Sequence, residues 1–171
     1  MLFYVNNQAA NVYFFANEKK VLIKKDIFAH QKNVMLKIKT LRSLSIFWAL
    51  FIGIGALWGA LMMFIDPSGK MWGLDAVLPY LQKLPFADIF FRDFIPSGIV
   101  LLLVNGVTNF ISFALICKKH RYAPLSVILC GIVLMLWITV EFVVFPLGLL
   151  PILYFIFGML QTGTGYLYWK K

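Results

Sequence analysis

The chain has 171 residues, of which 61% are hydrophobic and only 13% are charged. A soluble domain carries about 25% charged residues, and a chain this apolar has too little polar surface to cover an exterior that faces water. A soluble globular fold is therefore excluded. The net charge is +9, but the basic residues flank apolar stretches, which is typical of membrane topology and argues against a nucleic-acid partner.

The first 34 residues form a basic segment with no apolar run of spanning length. Its lysines are Lys19, Lys20, Lys24, Lys25 and Lys32. Two interpretations stay open. Residues 1–34 are either an extension created by a misassigned start codon, since Met35 would itself make a normal start, or a cytoplasmic tail attracted to anionic lipid. We expect the membrane domain to occupy residues 35–171.

Four stretches are apolar over about 20 residues, the length that a helix needs to cross a hydrocarbon core of about 30 Å. They cover residues 44–65, 95–117, 124–145 and 147–169. The alternation of a barrel strand is absent. The predicted fold class is all-α, a polytopic four-helix transmembrane bundle that contacts the lipid bilayer on its outer surface.

Turn residues separate the predicted spans. Asp66-Pro67-Ser68-Gly69 predicts a type I turn after the first span. Pro96 and Pro124 are expected in the first turns of the second and third helices, where a missing N–H costs nothing. Phe145-Pro146-Leu147-Gly148 predicts a tight hairpin between the third and fourth spans.

The segment between the first two spans, residues 66–95, is rich in aromatic and aliphatic side chains. Aromatic residues at this density are typical of the headgroup layer. We expect one or two short amphipathic segments that lie on the outer surface, as an interfacial outer loop. The alternative is that the loop folds back over the bundle as a lid.

The distribution of charge predicts the orientation. Of the sixteen Lys and Arg residues, eight precede residue 44, three lie in residues 118–121 and two end the chain. With four spans, these thirteen fall on one side, while the loop of residues 66–95 has a net charge of −1. Because positive charge marks the cytoplasmic side, we expect both termini in the cytoplasm and the protein in the plasma (inner) membrane.

Four short motifs carry a resemblance to a known class. They are Asp66-Pro67-Ser68-Gly69, Leu84-Pro85-Phe86-Ala87-Asp88, Ile95-Pro96-Ser97-Gly98 and Trp137-Ile138-Thr139-Val140-Glu141. Over residues 40–170 the chain resembles small four-span bacterial membrane proteins of unknown function. The resemblance implies a compact four-helix bundle in a bacterial envelope, and it implies no activity.

Glu141 is the only ionisable side chain well inside a predicted span. A charge at the bilayer centre costs about 2.5–3.5 kcal/mol on insertion scales, so such residues usually mark the path of a proton, ion or ligand. Glu141 also lies near the outer end of its helix, where Arg92 and Tyr154 could approach it. Two hypotheses stay open, a functional site that includes these residues and a structural or interfacial Glu141, which either reaches the headgroup layer or pairs with Arg92.

The second span carries a polar stripe. Asn105, Thr108, Asn109 and Ser112 are three or four residues apart, which places them on one helical face. Polar side chains in lipid either bond neighbouring helices or line a wet cavity. We therefore take Asn105 and Asn109 as candidate ligand residues, with interhelical bonding as the alternative.

Small residues repeat every fourth position in the first span, at Gly55 and Gly59 and at Ala56 and Ala60. Such pairs favour close helix packing. A phosphate loop is excluded, because no strand precedes the glycines and no Gly-Lys-Ser/Thr follows. Cys117 and His120 make no zinc site without two further ligands, so the sequence predicts no metal site and no cofactor.

Three classes of function remain. The preferred hypothesis is binding or transport of a small amphipathic or cationic solute at the Asn105/Asn109 face with Glu141. The alternative is a non-catalytic accessory subunit that docks another membrane protein or a second copy of the chain through its small-residue face. An enzyme acting on lipid is least favoured, because only Glu141 could act as acid or base.

Overall fold

The computed structural model describes residues 2–73, 75–76, 78–83, 87, 92–144 and 148–171. Within these ranges every regular element is helical. The chain divides into two compact units, Met1–Thr40 and Leu41–Lys171.

The helices follow the chain in the order that the apolar stretches predict. They are α1 (Leu2–Ile65), a 3₁₀ turn (Lys70–Trp72), α2 (Leu78–Leu81), α3 (Ile95–Cys117), α4 (Ala123–Val144) and α5 (Leu149–Trp169). In α3 the residues Leu102–Val107 adopt π-helical geometry between two α-helical parts.

In the part of the chain that the structure describes, three helical segments are long and apolar enough to cross a membrane. They are Lys24–Ile65, Ile95–Cys117 and Ala123–Phe142. The first three predicted spans fall on these segments. The fourth predicted span, residues 147–169, falls on α5. This helix is not among the three segments that are long and apolar enough to cross a membrane. Of the hairpin predicted at residues 145–148, residues 145–147 lie outside the described residues.

The unit Met1–Thr40 is helical from Leu2 onward. Its described side chains are mostly exposed, including the large apolar Ile27 and Phe28. Both interpretations of residues 1–34 stay predictions.

The unit Leu41–Lys171 contains α3 and α4 as an antiparallel pair. Ser112 and Ser126 share a hydrogen bond of 2.9 Å between their hydroxyl oxygens. One turn further along, Cys130 Sγ donates to Thr108 O at 3.4 Å. These two contacts run in opposite directions along the two helices and fix their register.

Helices α4 and α5 pack through glycines. A Cβ built on Gly131 would lie 2.7 Å from the backbone oxygen of Gly158, and one built on Gly165 would lie 2.9 Å from the backbone nitrogen of Ile128. Only a hydrogen atom fits at these positions, so the two backbones approach closely, as in other small-residue packing inside membranes.

Helix α1 packs along α3 through side-chain contacts at glycines. A Cβ on Gly53 would meet Asn109 Cβ at 3.4 Å, and one on Gly98 would meet Met63 Cβ at 3.1 Å. Helix α1 also contacts α5, where the Trp48 and Phe157 rings lie 5.7 Å apart. Neighbouring helices therefore alternate in direction around the bundle, and α3 lies diagonally across from α5.

One end of the bundle is basic. Ala49, Ile116, Ala123 and Val127 form a buried apolar cluster there, against which Tyr168 packs. Arg42 closes this end, because its Nε donates to Ile116 O at 3.2 Å and its Nη2 donates to Cys117 O at 3.1 Å. A cation at the last carbonyls of α3 complements the helix dipole.

The opposite end carries the turn predicted at residues 66–69, which the structure confirms. Gly69 N–H donates to Asp66 O at 3.0 Å, and Gly69 adopts a φ of 73°. The Asp66 carboxylate accepts from the Ser68 hydroxyl at 2.7 Å and from Met71 N–H at 2.7 Å. These bonds hold the pKa of Asp66 below its usual value.

Candidate polar site in the bundle

Two carboxamides hydrogen-bond to each other inside the bundle. Gln161 on α5 donates from Nε2 to Asn109 Oδ1 on α3 at 2.8 Å. Asn109 in turn donates from Nδ2 to the backbone oxygen of Asn105 at 2.8 Å. All three side chains are buried, with exposed fractions of 0% for Gln161, 0% for Asn109 and 1% for Asn105. The polar stripe on α3 therefore faces inward.

The hydrogen bonds fix the orientation of two of these amides. A backbone oxygen can only accept, so the Asn109 atom that contacts Asn105 O must be the NH₂ group. Asn109 therefore presents its oxygen to Gln161, and the Gln161 atom that contacts it must be a donor. It follows that the remaining polar atom of Gln161, Oε1, is an acceptor.

The backbone of α3 is widened at the same place. Asn105 lies within the π-helical segment Leu102–Val107. The Thr108 and Asn109 side chains donate to the carbonyl oxygens of Val104 and Asn105 in this segment. Single π-helical turns inside α-helices are frequent at functional sites, which makes this segment a candidate binding element.

The network leaves polar atoms without partners. Among the described residues, the buried side-chain atoms that lack a hydrogen bond are Asn105 Nδ2, Asn105 Oδ1, Gln161 Oε1 and Trp48 Nε1. Trp48 belongs to an apolar cluster with Ile52 and Leu134, whereas the other three atoms belong to the buried carboxamides of Asn105 and Gln161. An unpaired buried polar group costs about 1–3 kcal/mol, so the Asn105 amide is held in the core at the expense of stability.

Glu141 lies away from this network, near the loop end of α4. Its Oε1 accepts a hydrogen bond of 2.6 Å from Trp137 Nε1, one turn earlier on the same helix. Glu141 follows Cys130, which marks the level of Thr108, by eleven residues, or about 16 Å along the helix axis. Asn105 lies about 4.5 Å from Thr108 in the same direction. An axial distance of about 12 Å therefore separates Glu141 from Asn105.

The other predicted site residues also occupy separate places. Arg92 is exposed in the segment before α3. Tyr154 is half-buried on α5, and its hydroxyl oxygen would lie 3.0 Å from a Cβ on Gly55. The structure thus brings Asn105 and Asn109 together, and it places Tyr154 against α1.

The small residues of α1 contact helices of the same chain. Gly55 faces Tyr154 on α5, and a Cβ on Gly59 would lie 3.1 Å from Leu101 Cδ2 on α3. Ala56 and Ala60 are buried, with exposed fractions of 5% and 0%. This face is a packing surface inside the bundle.

Several contacts were not foreseen from the sequence. The glycines that join α4 to α5, Gly131, Gly158 and Gly165, were not singled out, although the interval of seven residues between the last two places them on one helical face. The bond between Gln161 and Asn109 was also missed, because sequence does not reveal which residues meet across the bundle. Nothing in the sequence indicated the π-helical geometry at Asn105.

Metal-type ligands are scattered in the described part of the chain, where no three His, Cys, Asp or Glu side chains come close enough to hold a metal ion. Comparison with protein-family models, with curated proteins and with solved structures finds no match to this chain.

Proposed function

We propose that this chain is a four-span membrane protein that binds or transports a small amphipathic solute through the buried carboxamides of Asn105, Asn109 and Gln161. The observation that supports this proposal is the burial of the Asn105 side chain. It is 1% exposed, and neither of its polar atoms has a partner among the described residues. A group that costs stability and serves no structural bond is typical of a functional site.

The membrane setting is supported by the pattern of burial. Polar side chains of α3 such as Asn105, Asn109 and Ser112 are buried, whereas Leu103 and Ile111 of the same helix are exposed. A protein surrounded by water shows the reverse arrangement. Apolar residues outside and polar residues inside suit a bundle in hydrocarbon.

Helix α5 fits the role of a fourth span. It has 21 residues, or about 30 Å of helix, and the charged residues Lys170 and Lys171 follow it. Gln161 and Thr164 are polar residues of α5, but both are buried, with exposed fractions of 0% and 6%. The exposed residues of α5, which would face lipid, are therefore more apolar than the helix as a whole.

Four spans place the chain ends on the same side. The basic end of the bundle carries Arg42, the turn at residues 118–121 and the terminal Lys170 and Lys171. Under the positive-inside rule this end faces the cytoplasm. The loop of residues 66–95 then lies on the outer surface, where its aromatic side chains suit the headgroup layer.

Docking through the small-residue face of α1, the alternative function, has less support. Gly55 and Gly59 already contact Tyr154 and Leu101 of the same chain. A second protein at this face would have to displace α3 and α5.

The test measures the melting temperature of the full chain in lipid nanodiscs with two amphipathic probes, octanol and octylammonium. At 100 times its dissociation constant a probe adds about 2.7 kcal/mol, which corresponds to a rise of about 5 °C or more. We expect such a rise in the wild type with at least one probe and no rise in Asn105→Leu. No rise in the wild type, or the same rise in both proteins, would overturn the proposal.

A further inference from the structure

The buried apolar cluster at the basic end of the bundle brings cationic segments of different helices together. Ile116 and Ala123 belong to this cluster, and Tyr168 packs against it. A cationic residue lies two positions in the sequence from each of the three, namely Lys118, Arg121 and Lys170. Arg42 lies at the same end, because its Nε donates to Ile116 O. The exposed cations of these segments, which form the basic surface, are Lys118, Lys119, Arg121, Lys170 and Lys171.

The carboxylates of the unit Leu41–Lys171 lie far from the basic surface. Asp66 comes 24 residues after Arg42, directly beyond the end of α1, or about 36 Å along the helix. Glu141 comes 18 residues after Ala123 on α4, or about 27 Å. The remaining acidic residues of this unit belong to the loop of residues 66–95. Because the Debye length at physiological ionic strength is about 8 Å, these carboxylates do not neutralise the basic surface.

Two cations of the basic surface are held against tyrosine rings. Arg121 Cζ lies 4.4 Å from the centroid of the Tyr122 ring, and Lys170 Nζ lies 4.7 Å from that of Tyr166. The ring attracts the cation, so each side chain loses less conformational freedom when it binds a ligand. Both tyrosines are exposed, as is the neighbouring Trp169. Exposed Tyr and Trp are typical of the headgroup layer, and they place the two cations at the depth of lipid phosphates.

The geometry points to the basic surface as a binding surface for anionic phospholipid, whose phosphate contacts Arg121 and Lys170. The acyl chains of this lipid lie along the apolar exterior of α5, where Leu160 and Leu167 are exposed. A free phosphate ion has no use for the aromatic and apolar side chains beside the cations. A zwitterionic lipid brings a cation of its own to the surface and gains less. The inference goes beyond the proposed function, because it makes no use of Asn105.

The experiment measures the lipid preference of the full chain in nanodiscs of phosphatidylcholine. Spin-labelled phosphatidylglycerol and spin-labelled phosphatidylcholine are added in turn, and electron paramagnetic resonance gives the share of each that the protein immobilises. Each cation near an anionic headgroup contributes about fivefold to the association. We therefore expect the wild type to prefer phosphatidylglycerol by about tenfold or more.

The variant that combines Arg121→Gln and Lys170→Gln should lose most of this preference. Its melting temperature in phosphatidylcholine should match that of the wild type, because both side chains are exposed. An unchanged preference in this variant, or equal association of the two lipids with the wild type, would overturn the inference.

Lys83→Gln is the matched control. Lys83 Nζ also lies over a tyrosine ring, 5.3 Å from the centroid of Tyr80, but it belongs to the loop of residues 66–95, whose net charge is −1. The preference for phosphatidylglycerol should survive this change. A loss as large as that of the double variant would show a general effect of net charge and would contradict binding at the basic surface.

Salt provides a second measurement, which needs no variant. Raising sodium chloride from about 0.1 M to about 1 M shortens the Debye length from about 10 Å to about 3 Å, so the preference of the wild type should fall; a preference that salt does not change would contradict the inference. At equal ionic strength, inorganic phosphate should release no more phosphatidylglycerol than chloride does. Greater release would assign the surface to free phosphate instead of lipid. Failure of any of these tests leaves the solute site at Asn105 standing.

Discussion

Gln161 and Asn109 join diagonally opposed helices through a hydrogen bond of 2.8 Å between two fully buried amides. This bond ties α5 to α3 at the centre of the bundle, where glycines bring the surrounding helices close together. The polar stripe on α3 thus serves two purposes. Asn109 forms a hydrogen bond through each of its two polar side-chain atoms, and Asn105 keeps its own amide free.

A double-mutant cycle should detect the bond between Asn109 and Gln161. Gln161→Leu should destabilise the protein by about 1–3 kcal/mol, because it leaves Asn109 Oδ1 buried without a donor. Interhelical hydrogen bonds in membranes couple by about 0.6 kcal/mol on average and by up to about 1.7 kcal/mol. The coupling is measured from the unfolding free energies, in mixed micelles, of Gln161→Leu, Asn109→Leu and the variant that carries both changes. Strictly additive losses would contradict the bond.

The packing of α4 on α5 should depend on Gly131. Its Cβ in Gly131→Ala would contact the Thr162 hydroxyl and would lie 2.7 Å from Gly158 O. Because backbone atoms cannot turn aside, the helices must separate, at a cost of about 1–3 kcal/mol. Gly163 is the matched control, since nothing lies within 4 Å of its Cβ position.

Gly163→Ala should be neutral or should gain up to about 1 kcal/mol of helix propensity. The melting temperatures of Gly131→Ala and Gly163→Ala in detergent test whether α4 and α5 pack closely at Gly131. A Gly131→Ala variant as stable as Gly163→Ala would show that the two helices do not pack as described.

The four crossings that we propose predict an orientation that reporters can test. Fusions after Lys119 and after Lys171 should both read as cytoplasmic, and one near Lys83 should read as external. If α5 did not cross, the reporter after Lys171 would lie on the side opposite the one after Lys119. That result would reduce the bundle to three spans.

Asp66 should make stability depend on acid pH. Its pKa is lowered from an ordinary value of 3.8, first by the hydroxyl of Ser68 and then by Met71 N–H. A carboxyl with a lowered pKa stabilises the fold fully above its ordinary pKa, and this contribution is lost as the pH falls through the lowered value. The melting-temperature advantage of wild type over Asp66→Asn should therefore shrink as the pH falls below about 4.

Ser68→Ala provides the control for this prediction. It removes the largest cause of the shift and should make the pH dependence shallower. The role of the turn would be contradicted if the difference in melting temperature between wild type and Asp66→Asn were the same at every pH between 3 and 6.

Helices α3, α4 and α5 were largely predictable, because long apolar runs bounded by Pro, Gly and basic residues determine where a chain can lie in lipid. The turn at Asp66 was also predictable from local residue types. The inward direction of Asn105 and Asn109 followed from their spacing, but their different roles did not. Whether a buried amide finds a partner depends on the register between α3 and α5, which is set by glycine contacts far apart in the sequence. For the same reason, the separation of Glu141 from Asn105 appeared only in the structure.

The most direct measurement compares the unfolding free energies of Asn105→Leu and Asn109→Leu. Both replace a buried amide on the same helix face by the same larger apolar side chain, so the cost of extra volume is similar. Asn105→Leu removes an unpaired amide and with it the free-energy cost of burying that amide. Asn109→Leu instead leaves Gln161 Nε2 without an acceptor. We expect Asn105→Leu to be the more stable variant by about 2 kcal/mol. A loss of stability at Asn105 equal to or greater than the loss at Asn109 would show that the Asn105 amide is structural and would contradict the account.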